Sequence, residues 1–285
     1  MMNRLLVPVL AGALAAVVGC SHPKLTESQE YYVGRGVAAN AMFDAEGRYV
    51  GLYDKDQNLE EYVALVGLSV ALESDRPETF KGYHFGVVNS TDINAFAAPG
   101  GFIFVTTGAL KLMENEDELA GVLSHEIGHV NLRHPEDHAN RAADQAGVMG
   151  ILDTGGHLAS TALSILGRKS TADNLATLTK GFGSVLDGFT KELIVNGYGR
   201  ESELAADALG VKVLCRPGVR YNPGALKEFI ARLPKKERGA WSTHPELDGR
   251  MQAIDDEIKK QGPVAETDPA RTARFKAATA GLRGS

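Results

Sequence analysis

The sequence lacks the features that define several common protein classes. It has two cysteines in 285 residues, Cys20 and Cys215, which are too few for a disulfide scaffold. Positive charge is not in excess, because 30 lysines and arginines face 36 acidic residues and the net charge is −6. A general nucleic-acid-binding surface is therefore not expected. Hydrophobic residues make up 44% and charged residues 23%, which is the composition of a globular protein with ample core material.

An uncharged apolar run stands near the N-terminus. It extends from Leu5 to Gly19 and reads LLVPVLAGALAAVVG. A membrane-spanning helix needs about 20 apolar residues, so the run is short for a span and is typical of a signal peptide. It ends in Val17-Val18-Gly19-Cys20, which resembles a bacterial lipobox.

This pattern predicts that residues 1–19 are a lipoprotein signal peptide and that Cys20 is the lipidated first residue of the mature chain. Residues 20–30 are then a polar, lipidated tether. Ser21, after the cysteine, favours sorting to the outer membrane, with the protein facing the periplasm. The alternative is an ordinary cleaved signal peptide that is followed by a cysteine by chance.

The remaining pattern predicts an α+β fold that is mostly helical with a small β-sheet. Residues 84–88, 93–97 and 102–106 have strand character, and the PGG sequence at 99–101 is typical of a hairpin turn. Residues 27–73 show helical periodicity, with one apolar face.

A strong helix follows the strands. Asn115 is a suitable N-cap and Glu118, three residues later, completes a capping box. The apolar residues of this helix recur at helical spacing, which predicts one buried face. They are Leu119, Val122, Leu123, Ile127 and Val130.

The same helix carries His125-Glu126-Ile127-Gly128-His129, an HExxH motif. Positions i and i+4 lie one turn apart, so both imidazoles project from one side of the helix and can share a metal ion. Glu126 lies beside them, where its carboxylate can reach a water molecule on that metal. The alternative is a chance pair of histidines on a surface helix, but the cap and the apolar face favour a metal site.

A catalytic zinc site takes three protein ligands, so a third must come from elsewhere. His134 and His138 follow closely, but their offsets from His129 do not keep them on the ligand face, and we expect both at the surface. Glu203 and Asp207, one turn apart on a later helix, are better placed. One carboxylate can bind the metal while the other orients a ligand imidazole.

Several motifs together resemble the M48 family of zinc metallopeptidases, in particular its soluble periplasmic lipoprotein branch. The resemblance covers roughly residues 30–258. The motifs are NAFAAPGG at 94–101, ELAGVLS leading into HEIGH, ELAAD at 203–207 and STHP at 242–245.

The resemblance implies a zincin-type domain with the HExxH helix as its active-site helix. It implies one Zn²⁺ per chain, held by His125, His129 and Glu203. Glu126 would be catalytic, as the general base, and Asp207 would support a ligand from behind.

The resemblance also implies roles near the metal for His244 and Arg250, which we count as catalytic candidates. His244 would either occupy the open metal position or donate to the developing oxyanion, and these roles remain alternatives. Tyr198 is a further candidate for the oxyanion donor.

The strand around Asn94, Ala95 and Phe96 is a candidate substrate-binding edge, because an exposed strand offers main-chain hydrogen bonds with little side-chain selectivity. Such an edge would suit unfolded or misassembled polypeptides. The expected domain is therefore an M48-like metallopeptidase at residues 31–261. A flexible tail at 262–285, rich in Ala, Thr, Gly and Pro, is expected to follow it.

The expected function is a zinc-dependent endopeptidase of the bacterial outer membrane that hydrolyses unfolded or misassembled envelope proteins. Its expected partners are those polypeptides, the membrane through the lipid on Cys20, and the outer-membrane assembly machinery; nucleic acid is not among them. The alternative is a chaperone-like assembly factor whose proteolysis is latent or secondary.

Overall fold

The computed structural model of the chain describes five stretches, and the secondary structure and contacts below concern these residues. They are residues 25–40, 51–53, 56–145, 198–234 and 247–283. The predicted signal peptide, Cys20 and His244 lie outside them.

Helices form most of the described structure. They are α1 (Glu27–Asn40), α2 (Gln57–Ala71), α3 (Thr107–Leu112), α4 (Glu116–Asn131), α5 (His134–Gln145), α6 (Arg200–Leu214), α7 (Ala225–Ala231), α8 (Leu247–Gln261), α9 (Pro269–Ala278) and α10 (Ala280–Arg283).

Three strands form a mixed sheet in the order β1-β3-β2: β1 (His84–Val88), β2 (Ala95–Ala98) and β3 (Phe102–Thr106). β1 runs parallel to β3, and β2 runs antiparallel to it. The predicted α+β class, with mainly helices and a small sheet, is confirmed.

The predicted hairpin joins β2 to β3. Ala98 pairs with Phe102, and the three residues between them form a 3₁₀ turn. Gly100 and Gly101 have φ angles of 75° and 89°, in the left-handed region that glycine enters without steric cost. At Gly100 a Cβ atom would also lie 2.7 Å from the Cα of Tyr31, so glycine is needed there for close packing as well.

α4 is the central element of the domain. Its N-cap is formed as predicted, with the Asn115 Oδ1 accepting from the Glu118 N–H at 2.9 Å. The reciprocal bond differs, because the Glu118 carboxylate accepts from the N–H of Glu114 at 3.0 Å. α4 contacts α2, β2, α6, α7 and α9. Every residue from Glu116 to Val130 is buried, including the polar ones.

The C-terminal segment differs from the flexible tail predicted at 262–285. α9 and α10 form there, and Phe275 and Leu282 are 0% and 2% exposed. Arg274 also pairs with the buried carboxylate of Glu116. The composition of this segment is polar, but a few apolar and arginine side chains are enough to dock it on α4.

The N-terminal boundary also differs from the prediction. α1 begins at Glu27, inside the predicted tether, and Leu25 and Glu30 are 6% and 0% exposed. Residues 25–40 therefore belong to the folded body. Among the described helices, none combines the length and the apolar character that crossing a bilayer requires.

Candidate metal centre

Three side chains from two helices converge on one point. His125 and His129 lie one turn apart on α4, and Glu203 lies in the first turn of α6. All three are 0% exposed. The two Nε2 atoms are 3.0 Å apart, and each lies 3.4 Å from a different carboxylate oxygen of Glu203. These three residues are also the one group in the described part of the chain whose ligand atoms lie close enough to share a metal ion.

The spacing of these atoms fits a tetrahedral zinc site. Ligands at about 2.0–2.1 Å from zinc stand roughly 3.3 Å from one another in a tetrahedron. The observed separations of 3.0 and 3.4 Å lie close to that edge length. The donor set, two imidazole nitrogens and one carboxylate, is also one that catalytic zinc uses.

Small residues bring the two ligand helices together. A Cβ atom on Gly128 would lie 2.8 Å from the carbonyl oxygen of Ala206 on α6. A Cβ atom on Gly210 would lie 2.9 Å from Oγ of Ser124 on α4. The helices therefore cross with backbone nearly in contact. Because the helices cross so closely, the short side chain of Glu203 can reach the two imidazoles.

Asp207 and Arg250 support the ligands from behind. The Asp207 carboxylate lies 2.7 Å from Nδ1 of His125, so this imidazole can direct Nε2 toward the metal position. Arg250, on α8, donates through Nε and Nη2 to Asp207 at 2.7 Å, and its Nη1 lies 2.9 Å from Glu203. Arg250 is 1% exposed, and these contacts make it a positioning residue for the ligand carboxylate. A direct role on substrate stays a prediction.

The charges of this group are not balanced. Arg250 supplies one positive charge against the three carboxylates of Glu126, Glu203 and Asp207. Burial would lower the pKa of His125, but Asp207 outweighs burial and raises that pKa to about 9, so His125 without a metal supplies a second positive charge at neutral pH. Burial likewise opposes ionisation of Asp207, but Arg250 and His125 lower its pKa to about 2. One negative charge then remains in this set, and a divalent cation that replaces the His125 proton would balance it.

Glu126 and Tyr198 lie close to each other and to the candidate ligands. Glu126 is 0% exposed. Burial raises the pKa of Tyr198, and the negative charge of Glu126 raises it further, so the phenol stays protonated. The Tyr198 hydroxyl donates to the carbonyl of Ala97 on β2 at 3.4 Å, and its ring stacks on His129 with centroids 3.9 Å apart. The phenol therefore lies between a metal ligand and the sheet.

The predicted substrate strand is an edge strand of the described sheet, because β2 pairs there with β3 alone. The N–H of Thr106 donates to the carbonyl of Asn94, so the backbone groups of Ala95 and Ala97 point away from β3. Asn94, Ala95 and Phe96 are buried as whole residues, with exposures of 9%, 0% and 6%, and Ala97 is 0% exposed. The outward-facing backbone groups of this strand are therefore covered in this structure, and its contact with substrate stays a prediction.

His138 is buried and His134 is only partly exposed, so the prediction that both are surface residues is wrong. Nδ1 of His134 lies 2.8 Å from Nδ1 of His129. His138 is 8% exposed and packs edge-on against the ring of Tyr198. The offsets of His134 and His138 from His129 could not reveal this, because such offsets apply to residues on one continuous helix. In the structure α4 ends at Asn131, and a new helix brings these side chains back.

The fold and the site define a zincin-type metallopeptidase domain, with an HExxH helix and a glutamate ligand from a second helix. The family model of peptidase family M48 matches residues 57–258, which include all three candidate ligands. The chain belongs to peptidase family M48. The family resemblance drawn from the sequence motifs is therefore confirmed.

Three relatives show which known proteins the chain is similar to. The chain is 30% identical over 202 residues to the beta-barrel assembly-enhancing protease of Yersinia pestis, covering 69% of this chain and 38% of that protein. It is 26% identical over 236 residues to the protein of that name from Escherichia coli K12, covering 81% and 45%. It is 28% identical over 269 residues to the mitochondrial metalloendopeptidase OMA1 of Bos taurus, covering 91% and 47%. The chain spans less than half of each of these relatives.

Proposed function

We propose that this chain is a zinc-dependent endopeptidase. The observation that carries the proposal is the buried triangle of two Nε2 atoms and one carboxylate, with sides of 3.0–3.4 Å, in a pocket with excess negative charge. His125, His129 and Glu203 would hold the zinc. When bound there, zinc polarises the scissile carbonyl and lowers the pKa of a water molecule toward about 7.

Groups of the protein itself then transfer the proton and bind the substrate chain. Glu126 takes the proton from the attacking water and passes it to the amine nitrogen of the leaving peptide. The outward-facing backbone groups of Ala95 and Ala97 can pair with an extended substrate segment once the groups that cover them, including the Tyr198 hydroxyl on the Ala97 carbonyl, move aside. Binding of this kind selects an extended backbone rather than a particular side chain, which supports unfolded or misassembled polypeptides as the substrate class.

We also propose that the enzyme is a lipoprotein of the bacterial outer membrane, anchored through Cys20 and facing the periplasm. The lipobox-like sequence supports the anchor, and similarity to beta-barrel assembly-enhancing proteases supports a role near outer-membrane assembly. Cys20→Ser should move the protein from the membrane to the soluble fraction while peptidase activity remains. A Cys20→Ser protein that stays membrane-bound after a salt wash would contradict the anchor.

The peptidase proposal is tested with purified protein and unfolded casein. Cleavage should stop after removal of metal with a chelator and should return when Zn²⁺ is added back. Glu203→Ala should fail to recover with zinc, because it lacks a ligand. Full activity in the chelated protein, or in Glu203→Ala, would contradict the assignment.

A further inference from the structure

The two candidate ligand histidines have different partners at Nδ1. His125 faces the carboxylate of Asp207, with 2.7 Å between Nδ1 and the nearest oxygen. His129 faces another imidazole, with 2.8 Å between its Nδ1 and Nδ1 of His134. In both cases Nε2 points to the shared metal position, 3.0 Å from its counterpart.

Hydrogen bonding at Nδ1 decides which nitrogen of an imidazole is available to a metal. If His129 binds zinc through Nε2, its proton resides on Nδ1, and that N–H needs an acceptor. His134 can accept when it is neutral with its own proton on Nε2. We propose that His134 is the positioning residue of His129, as Asp207 is of His125. This inference rests on the metal site proposed above.

The chain is built to return His134 to this place. On a continuous helix, residue 134 would lie about 140° around the axis from His129 and about 7.5 Å further along it. Instead α4 ends at Asn131, and Arg133 adopts a left-handed conformation with φ of 61°. That conformation is costly for a side chain other than glycine, so it requires support from its surroundings.

The support comes from a buried ion-pair cluster behind the turn. The Arg133 guanidinium pairs with the carboxylate of Glu30, which is 0% exposed, and donates to the carbonyl of Leu25 at 3.2 Å. Arg76 pairs with the other oxygen of Glu30 at 2.8 Å. Residues of α1 and its N-terminal flank therefore stabilise the turn around Arg133, which brings His134 to His129.

Tyr198 also restricts the orientation of the His129 ring. It stacks on one face at 3.9 Å between ring centroids, with an interplanar angle of 20°. The Nδ1 contact with His134 then sets the rotation of the ring in its plane. Stacking alone leaves either nitrogen free to face the metal, so it cannot replace a hydrogen-bond acceptor at Nδ1.

The experiment compares His134→Leu with His134→Gln in the full chain. Leucine fills similar space without an acceptor, whereas the Gln Oε1 can accept from the His129 N–H. Zinc affinity is measured by competition with a chromophoric chelator, and thermal unfolding is recorded with zinc and with excess chelator. The control is His84→Leu, a change at a half-buried histidine on β1 that stacks on Phe102.

We expect His134→Leu to weaken zinc binding by about 10–100-fold, the usual effect of losing such a partner. His134→Gln should recover most of that loss, and His84→Leu should keep the affinity of the parent protein. Zinc should also raise the unfolding temperature less in His134→Leu than in the parent.

Two results would overturn the inference. One is parent-like zinc affinity in His134→Leu, and the other is an equal loss in the leucine and glutamine variants. If His134→Leu does not fold, His134→Ala replaces it in the comparison with His134→Gln, because alanine also lacks an acceptor. Failure of the parent protein to bind zinc would instead overturn the proposed function, so the two failures are distinguishable.

Discussion

At the first turn of α4, three buried carboxylates each contact an arginine from the C-terminal part of the chain. Glu116, Asp117 and Glu118 are all at most 1% exposed. The pairs are Glu116–Arg274, Asp117–Arg271 and Glu118–Arg232. Two tyrosine hydroxyls, of Tyr62 and Tyr221, also donate to Glu116. Each negative charge at this end therefore has a positive partner within the fold.

The metal end of the same helix is built differently. There Arg250 pairs with Asp207 and lies 2.9 Å from Glu203, and two imidazoles face the same Glu203 carboxylate. The ion pairs of the first turn connect α4 to the C-terminal part of the chain, whereas the groups at the other end converge on one point that a cation can occupy. One end of α4 is therefore a structural anchor, and the other end is a candidate cation site.

The largest expected effect comes from the same substitution at the two ends. Glu126→Gln should reduce kcat/KM on unfolded casein by about 10²–10⁴-fold, because the general base is lost. Its zinc content should not change, since Glu126 is not a ligand. Glu118→Gln should keep most of the activity and lower the stability, since it weakens a cap and an arginine pair. Equal activity losses in the two variants would contradict the division of roles.

The next largest effect concerns the C-terminal segment that packs against α4. Phe275→Ala should lower the free energy of unfolding by about 3–5 kcal/mol, because the side chain is fully buried between α9 and the core. Urea unfolding followed by circular dichroism measures it. The exposed neighbour Lys276 is the control, and Lys276→Ala should change stability by less than about 0.5 kcal/mol. A small loss in Phe275→Ala would restore the flexible-tail prediction.

The third test makes the same Asp→Asn substitution at Asp207, behind the candidate metal site, and at Asp117, in the first turn of α4. Asp207→Asn should weaken zinc binding by about 10–100-fold, since the amide oxygen is a poorer acceptor for the His125 N–H. Asp117→Asn should keep zinc affinity, because Asp117 contacts Arg271 and the N–H of Asn222 instead. Chelator competition gives both values. A comparable loss of affinity in both variants would mean that the two ends are not independent.

The smallest effect concerns another buried carboxylate, Glu136, in the first turn of α5. Burial raises its pKa to about 8, and the nearby charge of Glu30 adds to the rise. Its folded-state pKa exceeds its ordinary value of 4.5, so its contribution to stability is present in full below about pH 4.5 and is lost as pH rises toward 8.

Glu136→Gln should therefore remove part of the decline in stability between pH 5 and 8, on the order of 1–2 kcal/mol. Unfolding in urea at several pH values measures the slope. Asp137→Asn, a neighbouring exposed position, is the control and should leave the slope unchanged. An unchanged slope in Glu136→Gln would show that this carboxylate is ionised throughout.

Local sequence determined much of this protein. The Asn115 cap, the apolar spacing of α4 and the i, i+4 histidines follow from helix geometry, which depends on neighbours within one turn. The strands at 84–88 and 102–106 were predictable for the same reason, since alternation and turn residues act over a few positions, whereas β2 is Ala95–Ala98 rather than the predicted 93–97. The pairing of Glu203 with the HExxH motif was implied by resemblance to a family, not by spacing.

The tertiary structure decided what depends on contacts between distant segments. His134 contacts His129 only because Arg133 breaks the helix and Glu30, from α1, stabilises that break. Arg250 lies against Asp207 and Glu203 because α8 packs on α6, a contact between segments that are far apart in the sequence. The C-terminal segment is folded because Phe275 meets the core and Arg274 meets Glu116, and composition alone cannot register such pairings. Helix geometry is local, whereas burial and charge balance are properties of the whole fold.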